Sequence, residues 1–102
     1  MSAQGGKVRG WSLIRIVGPS MEPAMANGQI WLMTPGCVRP GRVVVFAEPG
    51  RPELLSVKRV HGGGKDEGWW VLGDNADYST DSRDFGSVAS SGIRGVLRLR
   101  LR

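Results

Sequence analysis

Two side chains in this sequence could form a hydrolytic pair, and their surroundings say what each would have to do. Ser20 lies in Gly18-Pro19-Ser20-Met21-Glu22-Pro23, between two prolines at the end of an apolar run, where a backbone held in a turn presents a hydroxyl outward. A serine hydroxyl is a weak nucleophile until a base takes its proton. The chain has one histidine, His61, and three glycines follow it, a poor place to hold an imidazole at a fixed angle. A lysine can serve instead, but only when neutral. Its pKa must then fall from about 10.4 toward about 7–8 by desolvation, at roughly 1.4 kcal/mol per unit. Lys7 stands in a polar start and Lys65 in a polar loop, whereas Lys58 lies in Leu54-Leu55-Ser56-Val57-Lys58-Arg59-Val60. Alternation there puts Leu55, Val57 and Arg59 on one face and Leu54, Ser56, Lys58 and Val60 on the other. Lys58 thus shares a face with apolar neighbours. By pattern alone, a solvated edge-strand lysine and a turn-making serine also account for the two residues.

The elements that must position them are short strands. Residues 1–10 are small and polar and are expected to be loose, leaving residues 11–102 as a single domain. Trp11–Val17 reads as a strand that runs straight into the serine turn, and residues 21–26 fit about one helical turn. Asn27-Gly28 turns the chain into a strand over 29–33; Thr34-Pro35-Gly36 ends it, and Arg39-Pro40-Gly41 introduces another over 42–47. Residues 48–52 form a hairpin-like connector to the Lys58 strand, and His61 to Gly68 reads as a flexible polar loop. Trp69–Leu72 is a fifth strand. From Gly73 to Gly92 the chain is irregular and rich in Ser, Asp and Gly, a length that marks a working loop in a small domain. Residues 93–102 close as a strand with leucines on one side and arginines on the other. The fold class is all-β, built from short, mostly antiparallel strands. The strand tryptophans Trp11, Trp31, Trp69 and Trp70 are expected in the core.

The totals narrow the function. With 102 residues, one compact core is expected. The 14 Lys and Arg against 9 acidic residues give +5, concentrated in Arg94, Arg98, Arg100 and Arg102. Alternation on an outer strand face explains those arginines without a nucleic-acid partner. Cys37 is the single cysteine, which rules out an internal disulfide and, with one histidine, a structural zinc site. No cofactor or metal is expected. The longest apolar run, Val43-Val44-Val45-Phe46-Ala47, falls far short of the roughly 20 residues that span a bilayer, and residues 1–10 hold no apolar signal-peptide core. The chain is expected to be soluble, without an integral membrane segment, and cytoplasmic.

Three segments carry a resemblance. Gly18-Pro19-Ser20-Met21-Glu22-Pro23, Ser56-Val57-Lys58-Arg59-Val60 and the stretch from Gly73-Asp74-Asn75 through Asp81-Ser82-Arg83 to Val88 resemble, in order, the signature boxes of the type I signal peptidase family. They match its Ser-Met-x-Pro, Lys-Arg and Gly-Asp-Asn-x5-Asp-Ser-Arg-x2-Gly-x-Val patterns. The resemblance implies a small signal-peptidase-like β-fold, with Ser20 as nucleophile and Lys58 as general base. It implies that Ser79 orients the lysine amine, that Asp81 and Arg83 form an ion pair bracing the loop, and that Asp74 and Asn75 open that loop beside the site. Ala24, Gln29 and Arg42 depart from the usual family residues. Gly18 replaces a serine that supplies an oxyanion donor in some members, which leaves the Ser20 N–H.

An extended leader peptide is then expected to add as a strand beside Leu13, Ile14, Ile16, Val17 and Gly18 and near Leu55, Ser56 and Val57. Only 14 residues separate Lys58 from Gly73, where larger relatives insert a domain, and no anchor segment is apparent. This brevity resembles the nickel-type superoxide dismutase maturation proteases, so the expected partner is a precursor with an N-terminal leader, nickel superoxide dismutase included. Two rivals remain at this stage: a self-cleaving Ser/Lys regulator of the repressor type, for which 19 residues before Ser20 leave little room, and a non-catalytic basic binding module.

Overall fold

Alternation along Trp11–Val17 does what the sequence predicts: Trp11, Leu13 and Arg15 are exposed while Ser12, Ile14 and Ile16 are buried. The computed structural model describes the backbone of residues 2–8 and all of residues 10–63 and 68–102. Its strands are β1 (Ser2–Val8), β2 (Trp11–Val17), β3 (Ile30–Thr34), β4 (Val43–Glu48), β5 (Arg51–Gly63), β6 (Gly68–Leu72), β7 (Val88–Ala89) and β8 (Ile93–Arg100). Among the described residues one short α-helix, α1, spans Ser82–Phe85, with 3-10 turns at Ala76–Tyr78 and Ser90–Gly92. The strands form one eight-stranded sheet in the order β1-β2-β3-β8-β4-β5-β6-β7, every pairing antiparallel. The small all-β architecture is therefore the expected one. The single helical turn expected after Ser20 is present, closed by the Met25 N–H on the Met21 carbonyl at 2.9 Å.

β4 explains how so short a chain buries a site. All four of Val43, Val44, Val45 and Phe46 are buried, because the strand has a core on each side. Val43 and Val45 join Ile14, Ile16, Met33, Val57 and Leu97 in one cluster. Val44 and Phe46 join Val60, Val71, Val88 and Val96 in the other. Met21 and Met25 enter the first cluster from the turn after Ser20 and so pin that turn to the sheet. β1 and β5 are neighbours in space although four strands lie between them in the sheet order, so the sheet curls back on itself.

Four sequence expectations need correction. Residues 2–8, expected to be loose, form β1 along the whole of β2; their small polar side chains hide a strand whose partner is an available sheet edge. His61-Gly62-Gly63 continues β5, with Gly62 and Gly63 opposite Trp70 and Trp69, instead of opening a loop. Residues 64–67, and with them Lys65, lie outside the described residues. Trp11 and Trp70 are exposed, while Trp31 packs against the first core and Trp69 against the second. The register shift between Leu32 and Met33 along β8 breaks its expected two-sided pattern, so Leu97 is buried and Leu99 is exposed.

Phe46 is fully buried and its ring lies 6.0 Å from that of Phe85, tilted by 57°, which ties β4 to the helix of the long loop. Phe46→Ala is expected to cost about 3–5 kcal/mol of folding stability, read as a lowered midpoint in chemical denaturation.

Candidate active site

Ser20 stands where β2 hands over to a turn. Gly18 takes φ +91°, a left-handed conformation that a side chain disfavours, and its N–H donates to Asn27 Oδ1 at 2.9 Å. A serine at position 18 would carry that backbone strain. The turn closes with the Glu22 N–H on the Pro19 carbonyl at 3.0 Å. The Ser20 side chain is not presented outward as the local sequence implies: it is fully buried, as is Lys58. Lys58 Nζ donates to Ser20 Oγ at 3.0 Å across 38 residues of sequence. Burial follows from β5, where Lys58 lies opposite Val44 and one strand position pair from Val60, both members of the second core. Desolvation by this surround lowers the lysine pKa from its ordinary 10.5, opposed by the charges of Asp81 and Glu48.

The loop from Gly73 to Val88 closes over this pair. The Asn75 N–H donates to the Ser20 carbonyl at 2.8 Å, and Asn75 Nδ2 to the Pro19 carbonyl at 3.1 Å. A Cβ on Gly73 would sit 2.8 Å from the Ser20 carbonyl and overlap Ser79, so only glycine lets the loop approach this closely. Asp81 organises the far side. Its carboxylate accepts from the Gly73 N–H at 2.9 Å, from Ser79 Oγ at 2.8 Å, and from Arg83 through Nε at 2.9 Å and Nη2 at 3.0 Å. It also caps α1, accepting from the Arg83 N–H, with Asp84 completing a capping box. Ser82 Oγ accepts from the Val71 N–H at 2.8 Å and so fastens the helix to β6. Burial works against the Asp81 charge, but these donors outweigh it and bring the pKa to about 2.

Ser79 does not bond the lysine amine here. Its hydroxyl is committed to Asp81, a stronger acceptor because it is charged. Asp74 and Asn75 act differently from each other: Asn75 holds the serine turn, whereas Asp74 takes a bidentate pair from Arg59, with Nε at 2.9 Å and Nη2 at 2.8 Å. Arg59 also donates to the Gly41 carbonyl at 2.8 Å, linking β5, the loop and the entry to β4. Arg59 and Gly73 fall within the Lys-Arg and Gly-Asp-Asn boxes, but the sequence assigns neither of them a role of its own.

Of the residues expected to bind peptide, Ile14, Ile16 and Val57 send their side chains into the first core, leaving backbone alone to meet a ligand. Leu13 is exposed, and Val17, Gly18 and Leu55 are half-buried. Ser56 Oγ is buried and, among the described residues, has no hydrogen-bond partner. His61 is exposed and Cys37 is a free, exposed thiol. Among the described residues no cluster of His, Cys, Asp or Glu could hold a metal, and no helix is long and apolar enough to cross a membrane.

Two predictions follow from the charges. Asp81 is more acidic folded, at about 2, than its ordinary 3.8, so its contribution is complete above the latter value and lost as pH falls through about 2. That contribution is on the order of 2 kcal/mol, and Asp81→Asn should remove it along with the acid limb of a stability-against-pH curve. For Lys58 the slope has the same sign, but the group sheds a penalty instead of adding a gain. Between its lowered pKa and 10.5 the unfolded chain holds a proton that the folded chain lacks, so wild-type stability rises with pH across that window. Lys58→Met is expected to raise the Tm at neutral pH, by a margin that shrinks toward pH 10.5; a margin independent of pH would refute the desolvated amine.

The chain is 32% identical over 108 residues to mitochondrial inner membrane protease subunit 1 of Xenopus tropicalis, covering 82% of this chain and 65% of that protein. It thus spans just under two thirds of that relative's length. No family model matches the chain. Homology to a protein named as a protease supports the peptidase family that the three ordered boxes resemble.

Proposed function

We propose that this chain is a serine endopeptidase in which Ser20 and Lys58 form a catalytic dyad that removes an N-terminal leader from a precursor protein. The observation that carries the reading is the 3.0 Å contact between Lys58 Nζ and Ser20 Oγ with both side chains fully buried. A serine hydroxyl beside a desolvated amine has the base it needs. Neutral Lys58 takes the Ser20 proton as Oγ attacks the scissile carbonyl carbon. The amine then returns that proton to the leaving nitrogen as the C–N bond breaks, leaving an acyl ester on Ser20. Water attacks the ester, gives its proton to the same amine, and Ser20 is restored. The Ser20 N–H is the donor available to the developing oxyanion.

The supports differ in kind. The likeness to a protease subunit supports peptide-bond hydrolysis. The leader-removing role rests on the resemblance of the three boxes. Nickel-type superoxide dismutase as the precursor rests on the short spacing between Lys58 and Gly73. Asp81, Arg83, Asp74 and Asn75 brace the loop, and Ser79 holds Asp81 in place by its hydroxyl. Complete burial of Ser20 requires a peptide to displace whatever covers it.

The test is incubation with leader-bearing precursors, nickel superoxide dismutase among them, read by intact mass. Wild type should release the leader, while Ser20→Ala and Lys58→Ala should each lose at least about 1000-fold in kcat. Processing that survives Ser20→Ala would end the proposal. Because the base must be neutral, kcat/KM should climb with pH and level off above the lowered Lys58 pKa. A flat profile between about pH 6 and 9 counts against Lys58 as the base.

A further inference from the structure

The backbone around the Ser20/Lys58 pair has a slot with two edges, and one of this chain's own segments lies in it. β2 pairs with β3 on one side through Ser12–Arg15. Its other edge is covered from Trp11 to Val17 by Ser2–Val8. β5 pairs with β4 along one edge as far as Arg59, and with β6 along the other from Arg59 to Gly63. Among the described residues, Leu54–Lys58 therefore has no ladder partner on the β6 side, and β1 packs beside β5. The two backbone edges that lead to Ser20 and to Lys58 are bridged by residues 2–8.

We propose that residues 2–8 are an autoinhibitory strand that occupies the peptide groove and must leave β2 before a precursor can bind. The proposal rests on the protease reading above. Strand polarity separates this occupant from a leader. Ser20 follows the C-terminal end of β2, so a leader whose last residue reaches Ser20 must run parallel to β2. β1 runs antiparallel, with Ser2 opposite Val17 at the serine end and Val8 opposite Trp11. It fills the groove without offering Ser20 the carbonyl that ends a leader. The segment is also built to be displaced: Gly5 and Gly6 sit mid-strand opposite Ile14 and Leu13, and glycine weakens a strand through its greater loss of backbone entropy. An occupant of this kind raises the apparent KM by the inverse of the open fraction and leaves kcat unchanged.

The experiment compares three forms of the chain: wild type, a chain starting at Gly10, and the full-length double variant Gln4→Pro/Gly5→Pro. Neighbouring strand N–H groups point to opposite sides, so one of the two prolines removes a donor to β2. A synthetic peptide of residues 2–8 is the binding probe, followed by the fluorescence of Trp11. It should bind the chain starting at Gly10 and not the wild type. On a cleaved precursor, both altered chains should show KM lowered several-fold at unchanged kcat, and the added peptide should inhibit the shortened chain competitively. Equal KM in all three forms would overturn the proposal. So would a shortened chain whose activity the added peptide restores, since β1 would then be part of the folded groove. Peptide binding restricted to the shortened chain with no cleavage by any form would refute the protease reading alone and support the assigned occupant.

Discussion

An amine buried against a hydroxyl is the constraint on which the rest of this structure depends. Water would hold both Lys58 and Ser20 more comfortably than the protein does, so the fold has to supply the compensating contacts. The two-sided burial of β4 provides the apolar surround, because Val44 lies directly opposite Lys58 and cannot be replaced there by solvent. Burying an amine favours its neutral form, and a neutral amine can accept a proton. The same burial that costs stability therefore keeps the amine in the unprotonated form that the chemistry requires.

Carboxylates near such an amine would undo the effect by favouring its charged form, and the structure disposes of each with a partner. Asp81 is paired with Arg83 and bonded to Ser79 and the Gly73 N–H. Asp74 is paired with Arg59, and Glu48 with Arg51 at 3.2 Å. The residual pull of Asp81 and Glu48 on Lys58 is weaker than desolvation. These pairs also do mechanical work: the Asp74–Arg59 bond joins the loop to the strand that carries the lysine, and Asn75 joins it to the serine turn. The loop is thus both the lid of the site and its brace.

Much of the framework was legible from local pattern. The alternation of Trp11–Val17, the turn at Asn27-Gly28 and the unbroken apolar run of β4 each announce a strand, because side-chain period and turn chemistry are local properties. The face of Lys58 was legible for the same reason, since Val57 and Val60 flank it with the expected opposite sides. β1 was not legible: nothing in Ser-Ala-Gln-Gly-Gly-Lys-Val asks for a strand until the edge of β2 is there to pair with. Nor was the commitment of Ser79 to Asp81, which depends on how the loop folds back on Gly73.

The sequence by itself determined the all-β class, the junction at which Ser20 sits, the apolar face of Lys58 and the loop that returns to both. These follow from spacing and composition within a few residues. Only the tertiary structure decided that the serine is buried rather than presented, that its hydroxyl meets the lysine at 3.0 Å, and that a strand from residues 2–8 pairs along β2. Burial and pairing across 38 residues are properties of surfaces that exist only once the sheet has curled and the loop has closed.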